Sequence, residues 1–257
     1  MTAQSARLFF AGELASLLTC AHDTGSVRYP VDRCASIKDV IEAIGVPHTE
    51  VYAIHARGRE HDFTLPLSPG ADIAFLPAAL THDSPVDVTS PTRLRAPFPT
   101  LAFIVDENVA GLAPLLRALG IDAAYHRTWD DAHIARLAVN EQRVVLSRDR
   151  GLLKRNAIVH GRLIRAQIVD EQLLEVLDHF RVRQTDAPFT RCLRCNVPTN
   201  PVAKKDILHR LEPKTRAHFH TFRHCPSCDR IYWRGSHHEK LLARFAGLGL
   251  DMRQLTP

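Results

Sequence analysis

The sequence predicts three structural parts: an α+β N-terminal domain, an α/β domain with a parallel sheet between helices, and a small cysteine-bearing C-terminal module. A proline-rich stretch over 81–100, THDSPVDVTSPTRLRAPFPT, has no hydrophobic period and is typical of a linker. After it, short apolar runs alternate with amphipathic helices, and two pairs of cysteines follow. We therefore predict the divisions 1–80, 81–100, 101–186 and 187–257.

The composition is typical of a folded globular protein and excludes two other classes. Of 257 residues, 45% are hydrophobic and 24% are charged, so we expect a packed core and not a disordered chain. No run approaches the roughly 18 apolar residues that span a bilayer. Because residues 1–7 also lack a basic segment followed by an apolar core, we expect no membrane partner, no secretory signal and a cytoplasmic location.

The net charge of +5 conceals a gradient along the chain. Residues 1–90 carry six Lys and Arg against eleven Asp and Glu, whereas residues 191–257 carry thirteen against five. A basic C-terminal region favours a polyanionic partner, and nucleic acid is the leading candidate. A solvated charged face is the alternative that charge alone leaves open.

The first 80 residues predict the order of a β-grasp domain, with two strands, a helix and further strands. The helix is expected to begin after Ser36, whose side chain can cap it, and to end at Gly45. The strands are predicted at Arg7–Phe10, Val27–Val31, Val51–His55 and Ile73–Leu76.

This segment resembles the ubiquitin-like sulfur-carrier proteins, notably in LSPGADIAFLP over 67–77. Those carriers end in a free Gly-Gly pair, whereas here the last strand runs on into Pro77-Ala78-Ala79-Leu80. The departure argues against sulfur transfer. It favours a binding or scaffolding role in which the β-grasp domain holds a protein partner.

Residues 101–180 alternate between strand and helix, which predicts a parallel sheet with helices on both faces. The predicted strands are Leu101–Val105, Ala123–His126, Val144–Ser147 and Leu163–Ile168. The predicted helices are Gly111–Leu119, Asp130–Asn140 and Asp170–Phe180. In such sheets ligands bind beyond the carboxyl ends of the strands, so residues that follow a strand are candidates for a site.

Acidic residues follow two of these strands and begin one of the helices. Asp106 ends LAFIVD, Asp149 ends VVLSRD, and Asp130-Asp131 open a helix. Like charges at one sheet edge repel, and a divalent cation that prefers oxygen ligands, Mg²⁺ or Mn²⁺, relieves that repulsion. A structural interpretation stays open for Asp130 as a helix cap and for Asp149 as a turn residue. The pair of Asp106 and Glu107 is hardest to explain in that way.

Basic and amide side chains flank the same points and predict a phosphate-bearing substrate. Arginine binds phosphate through two parallel hydrogen bonds, which suits a site where a metal ion also holds the phosphate. These candidate RNA contacts are Asn108, Arg148, Arg150, Lys154 and Arg155. A salt bridge to the aspartates is the alternative for Arg148.

Two C-x-x-C pairs, Cys192 with Cys195 and Cys225 with Cys228, predict a zinc site. Four thiolates at this spacing suit the tetrahedral coordination of structural Zn²⁺. Disulfides are the alternative, which a cytoplasmic chain disfavours, and His224 is a substitute ligand. The residues between the two pairs are expected to form an insertion that includes a helix.

The segment after the second cysteine pair, IYWRGSHH over 231–238, combines aromatic and basic residues. Aromatic rings stack on unpaired bases while arginine holds phosphate. The candidate RNA contacts are Trp233, Arg234, Ser236 and His237. Packing of Tyr232 or Trp233 on the zinc module is the structural alternative. A histidine of this segment acting as general acid and base would define a metal-independent reaction.

Beyond these single motifs, the chain resembles one family in VDENVAGLAPLLRALGIDAAY, WDDAHIARLA, VVLSRDRGLLKR, TRCLRCN and CPSCDRIYWRGSHHEK. That family is the PIN-like RNase domain named after the C-terminal region of the Mut-seven exonuclease. The resemblance spans Leu101 to Leu242, and the N-terminal segment resembles the ubiquitin-like domain often fused ahead of it in bacteria. It implies a PIN-type fold, a metal-dependent nuclease site and an attached zinc ribbon.

Carried over position by position, the resemblance implies an acidic site of Asp106, Asp131 and Asp149 that holds Mg²⁺ or Mn²⁺. Asp130 and Glu107 are its neighbours and further candidate ligands. Many nucleases of the PIN type have a fourth acidic residue, for which Asp170 is the candidate here. Whether one or two catalytic ions bind stays open at this point.

The combined expectation is a Mg²⁺- or Mn²⁺-dependent endoribonuclease that leaves a 5′-phosphate, with the zinc ribbon assisting RNA binding. The substrate class is RNA, with tRNA or another structured RNA as examples. The alternative is a non-catalytic adaptor that binds RNA through the zinc ribbon and basic tail on a PIN-like scaffold. Retention of all three aspartates favours the enzyme over the adaptor.

Overall fold

The computed structural model describes residues 4–19, 25–32, 34–81, 86–182 and 188–250. They form a β-grasp domain, a parallel-sheet domain and a small antiparallel module, in the order that the sequence predicts. Across these ranges, no helix has both the length and the apolar character needed to cross a membrane. The division predicted between residues 186 and 187 lies outside the described residues.

The N-terminal domain is a five-stranded mixed sheet packed on one helix. Its elements are β1 (Ser5–Phe10), β2 (Ser26–Pro30), α1 (Ile37–Ile44), β3 (Ala53–Ala56), β4 (Arg59–His61), β5 (Asp72–Leu76) and α2 (Ala78–Thr81). The strand order is β2-β1-β5-β3-β4, with β1 parallel to β5 and the other neighbours antiparallel. The β-grasp prediction is therefore confirmed. The sequence did not predict β4, because its short polar run has no alternation of apolar residues.

Helix α1 begins and ends where the sequence predicts. The Ser36 hydroxyl accepts a hydrogen bond from the backbone amide of Asp39 at 3.2 Å. Gly45 ends the helix in the left-handed conformation at φ 114°, where a Cβ atom would lie 2.6 Å from the side chain of Thr19. The two ends of the helix therefore carry the local signals that the sequence shows.

The second domain is a four-stranded parallel sheet between helices. Its elements are β6 (Phe103–Val105), α3 (Leu112–Ala118), β7 (Ala123–Ala124), α4 (Asp131–Asn140), β8 (Val144–Ser147), α5 (Arg150–Leu153), β9 (Gly161–Leu163) and α6 (Val169–His179). The strand order is β7-β6-β8-β9. The chain leaves β6 toward β7 on one side and then crosses to β8 on the other.

The last strand of this sheet is displaced from its predicted position at Leu163–Ile168. Strand β9 ends at Leu163, and only the amide of the next residue, Ile164, still donates to β8, to the carbonyl oxygen of Ser147 at 2.8 Å. The backbone amides of Arg165 and Ala166 both donate to the side chain of Glu175, at 3.0 and 3.1 Å. A side chain from α6 thus replaces the strand partner that the apolar run alone suggests.

Successive residues of the central strands face opposite helical layers. Phe103 and Val105 lie in a core with residues of α3 and α6, whereas Ile104 lies in a second core with residues of α4 and α5. That second core continues into the N-terminal domain and includes Ile41 and Phe75. One face of the parallel sheet is therefore built jointly with the β-grasp domain.

The C-terminal module is a three-stranded antiparallel sheet with helices in the loop and at the end. Its elements are β10 (Asn200–Val202), α7 (Lys204–Ile207), α8 (Pro213–His218), β11 (Phe222–His224), β12 (Ile231–Trp233) and α9 (Ser236–Gly247). The predicted helical insertion between the cysteine pairs is confirmed by α7 and α8. Phe245 of α9 is fully buried in the core beside α3 and α6, so the final helix packs back on the parallel-sheet domain.

The segment predicted as a linker is packed between the domains. Residues 86–100 contain no helix or strand, as their prolines predict, but Val88 and Phe98 are buried in the core of the second domain. Buried Arg95 donates to three backbone carbonyl oxygens within 48–51, each at 2.8–2.9 Å. Its guanidinium also lies 4.3 Å from the ring centre of Tyr52. Proline content thus excludes regular structure here without producing a free tether.

A buried ion-pair cluster joins the two domains. Glu50 is 1% exposed and accepts from Arg162 of β9 at 2.8 Å and from the backbone amide of Leu163 at 2.8 Å. Arg162 also pairs with Glu13 at 3.2 Å, and Arg165 pairs with Glu13 at 2.8 Å. Burial raises the pKa of Glu50, although the facing guanidinium groups oppose the shift.

Replacing Arg162 should destabilise the whole chain. In Arg162→Met, Glu50 stays buried without its nearest cation, so we expect the free energy of unfolding to fall by about 3–5 kcal/mol in denaturant titrations. Arg7→Met is the control, because the Arg7–Asp72 pair is exposed and its loss should have little effect. Equal stability of the two variants would contradict a structural role for the cluster.

His160 should make the stability depend on pH. It is buried, its Nε2–H donates to the carbonyl oxygen of Ala96 at 2.8 Å, and burial lowers its pKa from 6.5 to about 4. At pH values between about 4 and 6.5, His160 binds more protons in the unfolded chain than in the folded protein. A contribution of up to about 3 kcal/mol is therefore present above pH 6.5 and is lost as the pH falls toward about 4.

The comparison of wild-type protein with His160→Gln tests this pH dependence. Unfolding free energies measured at pH values of about 7 and about 4.5 should show a smaller acid-induced loss in the variant. An identical loss in both proteins would assign the pH dependence to other groups.

Candidate functional site

The carboxyl ends of β6 and β8 form the candidate site. These strands are parallel neighbours, and the connections that follow them lead to opposite sides of the sheet. A crevice opens at such a reversal of strand order, which is where α/β sheets bind ligands. Asp106 follows β6 directly, and Arg148 and Asp149 follow β8.

Asp106 is held in one orientation by three donors. Its Oδ2 accepts from the Ser147 hydroxyl at 2.7 Å and from the Asn108 side-chain amide at 2.6 Å. Its Oδ1 accepts from the backbone amide of Glu107 at 2.7 Å. Asp106 is only 8% exposed, and these hydrogen bonds offset the cost of burying a carboxylate.

Ser147 is the residue of this site that sequence reasoning missed. It is fully buried, and its oxygen also accepts from the backbone amide of Asp149 at 2.8 Å, so it joins the ends of β6 and β8. The one signal available was a polar residue at the end of the apolar run VVLS. Asn108 joins the same strands, because its Oδ1 accepts from the backbone amide of Arg148 at 2.9 Å. A contact between Asn108 and RNA stays a prediction.

Two of the predicted acidic residues cap helices. Asp130 accepts from the backbone amide of His133 at 2.7 Å and is the N-cap of α4. Asp149 accepts from the backbone amide of Gly151 at 2.6 Å and is the N-cap of α5. Both side chains therefore have a structural role as helix caps. For Asp149 this role is compatible with a further role at the crevice.

The other two acidic residues beside the crevice are more open. Asp131, with a side chain 42% exposed, lies 3.5 Å from the guanidinium of Arg155. Glu107 is exposed and accepts from the Tyr125 hydroxyl at 2.7 Å, which connects the ends of β6 and β7. Both carboxylates are accessible from solvent.

Asp106, Asp131 and Asp149 are not gathered into one tight cluster. Within the described ranges, the four cysteines form a group of potential metal ligands whose ligand atoms all lie within 4.8 Å of one another. The three aspartates do not form such a group. Asp170, the candidate for a fourth acidic residue, pairs with Arg244 of α9 at 2.7 Å. The assignment of Mg²⁺ or Mn²⁺ to the aspartates stays a prediction.

The basic residues near the crevice all have partners within the chain. Arg150 donates to the carbonyl oxygen of Leu17 at 2.7 Å, and Lys154 donates to that of Glu42 at 2.5 Å, so both hold the N-terminal domain. Arg148 donates to the carbonyl oxygen of residue 166 at 2.9 Å. RNA contact by Arg150 or Lys154 requires breaking these interdomain hydrogen bonds and stays a prediction.

The four predicted zinc ligands come together. The Sγ atoms of Cys192 and Cys228 are 3.5 Å apart, and those of Cys195 and Cys225 are 3.4 Å apart. Ligands about 2.3 Å from a tetrahedral Zn²⁺ ion would lie about 3.8 Å from one another. Four soft thiolate donors at this spacing therefore fit a structural Zn²⁺ ion.

Tyr232 belongs to this centre. Its hydroxyl contacts the Cys192 Sγ at 3.0 Å and accepts from the backbone amide of Leu193 at 3.2 Å. Burial opposes ionisation of Cys192, but the hydrogen bonds from Tyr232 and from backbone amides outweigh it and lower the pKa of the thiol to about 6. The alternative of packing on the zinc module is thus confirmed for Tyr232.

Trp233 and its neighbours face outward. Trp233 is 39% exposed, with ring centres of Phe219 and Phe222 about 6.5 Å away. Arg234, Ser236 and His237 are exposed. These residues form an accessible surface beside the cysteine centre, and RNA contact by them stays a prediction.

Removing one thiolate should unfold the C-terminal module. Zinc binding contributes an apparent ~10–16 kcal/mol in small zinc peptides, so Cys192→Ser should lose both the metal and the protection of residues 188–250 from proteases. Cys34→Ser is the control, because Cys34 is exposed and outside the two pairs. Wild-type protein that contains no zinc and has a folded C-terminus would contradict this expectation.

Comparisons with known proteins agree with this architecture. Residues 101–245 match the family model of the Mut7-C RNAse domain, and residues 3–83 match that of Mut7-C ubiquitin. The chain is 32% identical over 151 residues to the "Exonuclease mut-7 homolog" of Homo sapiens, an alignment that covers 56% of this chain and 17% of the human protein. No solved structure matches the chain. The chain belongs to the Mut7-C RNase domain family, with a Mut7-C ubiquitin-like domain ahead of the RNase domain.

Proposed function

We propose that the chain is a Mg²⁺- or Mn²⁺-dependent ribonuclease that hydrolyses RNA phosphodiester bonds at the carboxyl edge of the parallel sheet. The observation that carries this proposal is Asp106. It is a buried carboxylate, and none of the described ion pairs includes it. Its three hydrogen bonds offset the cost of burial but leave its charge without a counter-ion among the described residues, and its place at the reversal of strand order is explained if it binds a cation.

The donor chemistry of the crevice supports the proposal. Asp106, Asp131 and Asp149 offer carboxylate oxygens, which are the ligands that hard divalent cations prefer. Asp130 and Glu107 are the neighbouring candidates. When bound, such an ion supplies an activated water and stabilises the leaving oxygen of the phosphodiester.

The groups around these carboxylates orient them or offset their charge. Ser147 and Asn108 orient Oδ2 of Asp106 and the backbone amide of Glu107 orients Oδ1, as supporting hydrogen bonds do around metal ligands. Arg155 offsets the charge of Asp131. Its contact is long and its side chain is 44% exposed, so it is available to a substrate phosphate.

The zinc module is proposed to assist RNA binding. Residues 191–257 carry thirteen Lys and Arg against five Asp and Glu, and cations neutralise backbone phosphates with release of counterions. Exposed Trp233 offers a ring for base stacking beside Arg234. Ser236 and His237 follow at the start of α9.

A non-catalytic RNA-binding adaptor is the second candidate function. The observation that favours it is the separation of the three aspartates, whose ligand atoms do not meet the 4.8 Å distance that the cysteines meet. The two candidates differ in whether wild-type protein cuts RNA at all.

Changes at Asp106 and Ser147 should separate the enzyme from the adaptor. Asp106→Asn removes one ligand and should reduce cleavage of mixed cellular RNA in Mn²⁺ to the level seen with a chelator. Ser147→Ala removes one orienting hydrogen bond and should lower the rate by about 10–100-fold. The control is Asp72→Asn, the same chemical change at an exposed residue of the N-terminal domain, which should cut at the wild-type rate.

Two outcomes of the cleavage assay would contradict the proposal. Undiminished activity of Asp106→Asn, at matched protein and metal concentrations, would place the reaction elsewhere. RNA binding by wild-type protein without any metal-dependent cut ends would favour the adaptor.

A further inference from the structure

An aromatic pocket lies at the same sheet edge as the candidate site. Its lining residues are His126, Thr128, Trp129, Asp130, His133 and Arg136. It is open to solvent and encloses about 400 Å³, which is within the range of about 300–1,000 Å³ for small-molecule sites. Apart from Asp130, the side chains that line it have none of the tasks described above.

Three rings form one side of the pocket. The ring centre of Trp129 lies 5.3 Å from that of His133 with planes 31° apart, and 6.1 Å from that of His126 with planes 39° apart. Trp129 also packs against the core shared with the N-terminal domain, so its ring is supported from behind. The three rings thus present an aromatic surface to solvent.

Hydrogen bonds fix the two histidines. The backbone amide of Thr128 donates to Nδ1 of His126 at 3.3 Å, which leaves Nε2 of that ring as the donor. The guanidinium of Arg136 donates to Nδ1 of His133 at 3.5 Å, and the side chain of Arg136 is otherwise exposed. The aromatic surface therefore has one cation at its margin.

The pocket is next to the proposed catalytic carboxylates. It begins one residue after Tyr125, whose hydroxyl donates to Glu107, the residue that follows Asp106. It also includes Asp130, the residue before Asp131. Because β7 runs parallel to β6, its carboxyl end opens at the same edge of the sheet.

We infer that this pocket binds one unpaired nucleotide of the RNA beside the cleaved bond, with the base stacked on Trp129 and a phosphate held by Arg136. The inference rests on the proposed function, since the RNA is the substrate named there. Every base has an aromatic face, and stacking on a tryptophan ring is sequence-tolerant. A guanidinium at the ring margin suits the phosphate that accompanies each base. The enzyme would accordingly select single-stranded over fully paired RNA.

Tryptophan fluorescence tests the inference without requiring cleavage. The chain contains two tryptophans, so in Trp233→Phe the emission comes from Trp129 alone. A short single-stranded oligoribonucleotide, added without divalent cations, should quench this emission. An abasic strand of the same length and charge should not quench it.

Substitutions at the ring test the same contact by affinity. Stacking is worth about 1–3 kcal/mol per base, so Trp129→Ala should weaken binding of the oligoribonucleotide roughly 5- to 150-fold. Trp129→Phe keeps a ring on the core and should retain most of the affinity. Phe9→Ala is the control, because it removes an exposed aromatic ring from the N-terminal domain.

The outcomes distinguish this inference from the proposed function. Absence of quenching, or equal affinity of wild-type protein and Trp129→Ala, overturns the pocket even if Asp106→Asn abolishes cleavage. Quenching by the base-bearing strand alone, in a protein that never cuts RNA, supports the pocket and overturns the nuclease. A loss of affinity with both the base-bearing and the abasic strand in Trp129→Ala would mean general damage and also overturns the stacking contact.

Discussion

The buried pairing of Glu50 with Arg162 is the constraint on which the rest of the structure depends. A glutamate at 1% exposure is tolerable only with a cation and donors close by, and both come from β9 of the other domain. The pairing fixes β9 against the N-terminal domain, and β9 is the neighbour of β8. Since β8 ends in Ser147, which holds Asp106, the candidate site is supported by contacts that begin outside the nuclease domain.

This arrangement changes the interpretation of the ubiquitin-like domain. Its helix α1 and the following segment accept hydrogen bonds from Arg95, Arg150 and Lys154 of the same chain. The shared core and the buried ion pairs are features of one folding unit, in which removing either domain exposes apolar surface and unpaired charge. The ubiquitin-like domain therefore has its contacts with the parallel-sheet domain of its own chain, and a separate protein partner for it stays a prediction.

Features governed by neighbouring residues were predictable from the sequence, and features governed by distant ones were not. The ends of helix α1 depend on Ser36 and Gly45, and the cluster of four cysteines depends on two short spacings, so each could be placed in advance. The interdomain hydrogen bonds of Arg150 and Lys154 were not predictable, because their carbonyl partners lie more than a hundred residues away.

Two further differences between the prediction from sequence and the structure also arise from contacts between distant segments. Strand β9 ends early because Glu175 of α6 takes the amides of residues 165 and 166. Ser147 was missed because one serine has no spacing pattern, and its importance appears only when β6 and β8 pair. Local sequence patterns predict helix caps and paired cysteines. The ends of strands and the hydrogen bonds between domains depend on which distant segments the fold brings together.

The zinc module has a structural consequence for the candidate site beyond any contact with RNA. Strand β7 is only two residues long and lies at the edge of the sheet. Buried Arg117 donates to the carbonyl oxygen of Ala123 at 2.8 Å and to that of Arg194 at 2.8 Å, within the first cysteine knuckle. The side chain of Asn196 accepts from the Ala123 amide at 3.0 Å.

Arg117 and Asn196 therefore provide hydrogen-bond partners for the backbone of Ala123 in the edge strand β7. From this strand the chain continues to Tyr125 and Trp129. So short a strand gains little from its own ladder hydrogen bonds, and the residues around the first cysteine pair supply further partners for it. Contacts from the C-terminal module thus support the edge strand β7, while the ubiquitin-like domain supports β9 at the other edge. Asp106 and Asp149 follow the two central strands, β6 and β8, and therefore lie between these two supports.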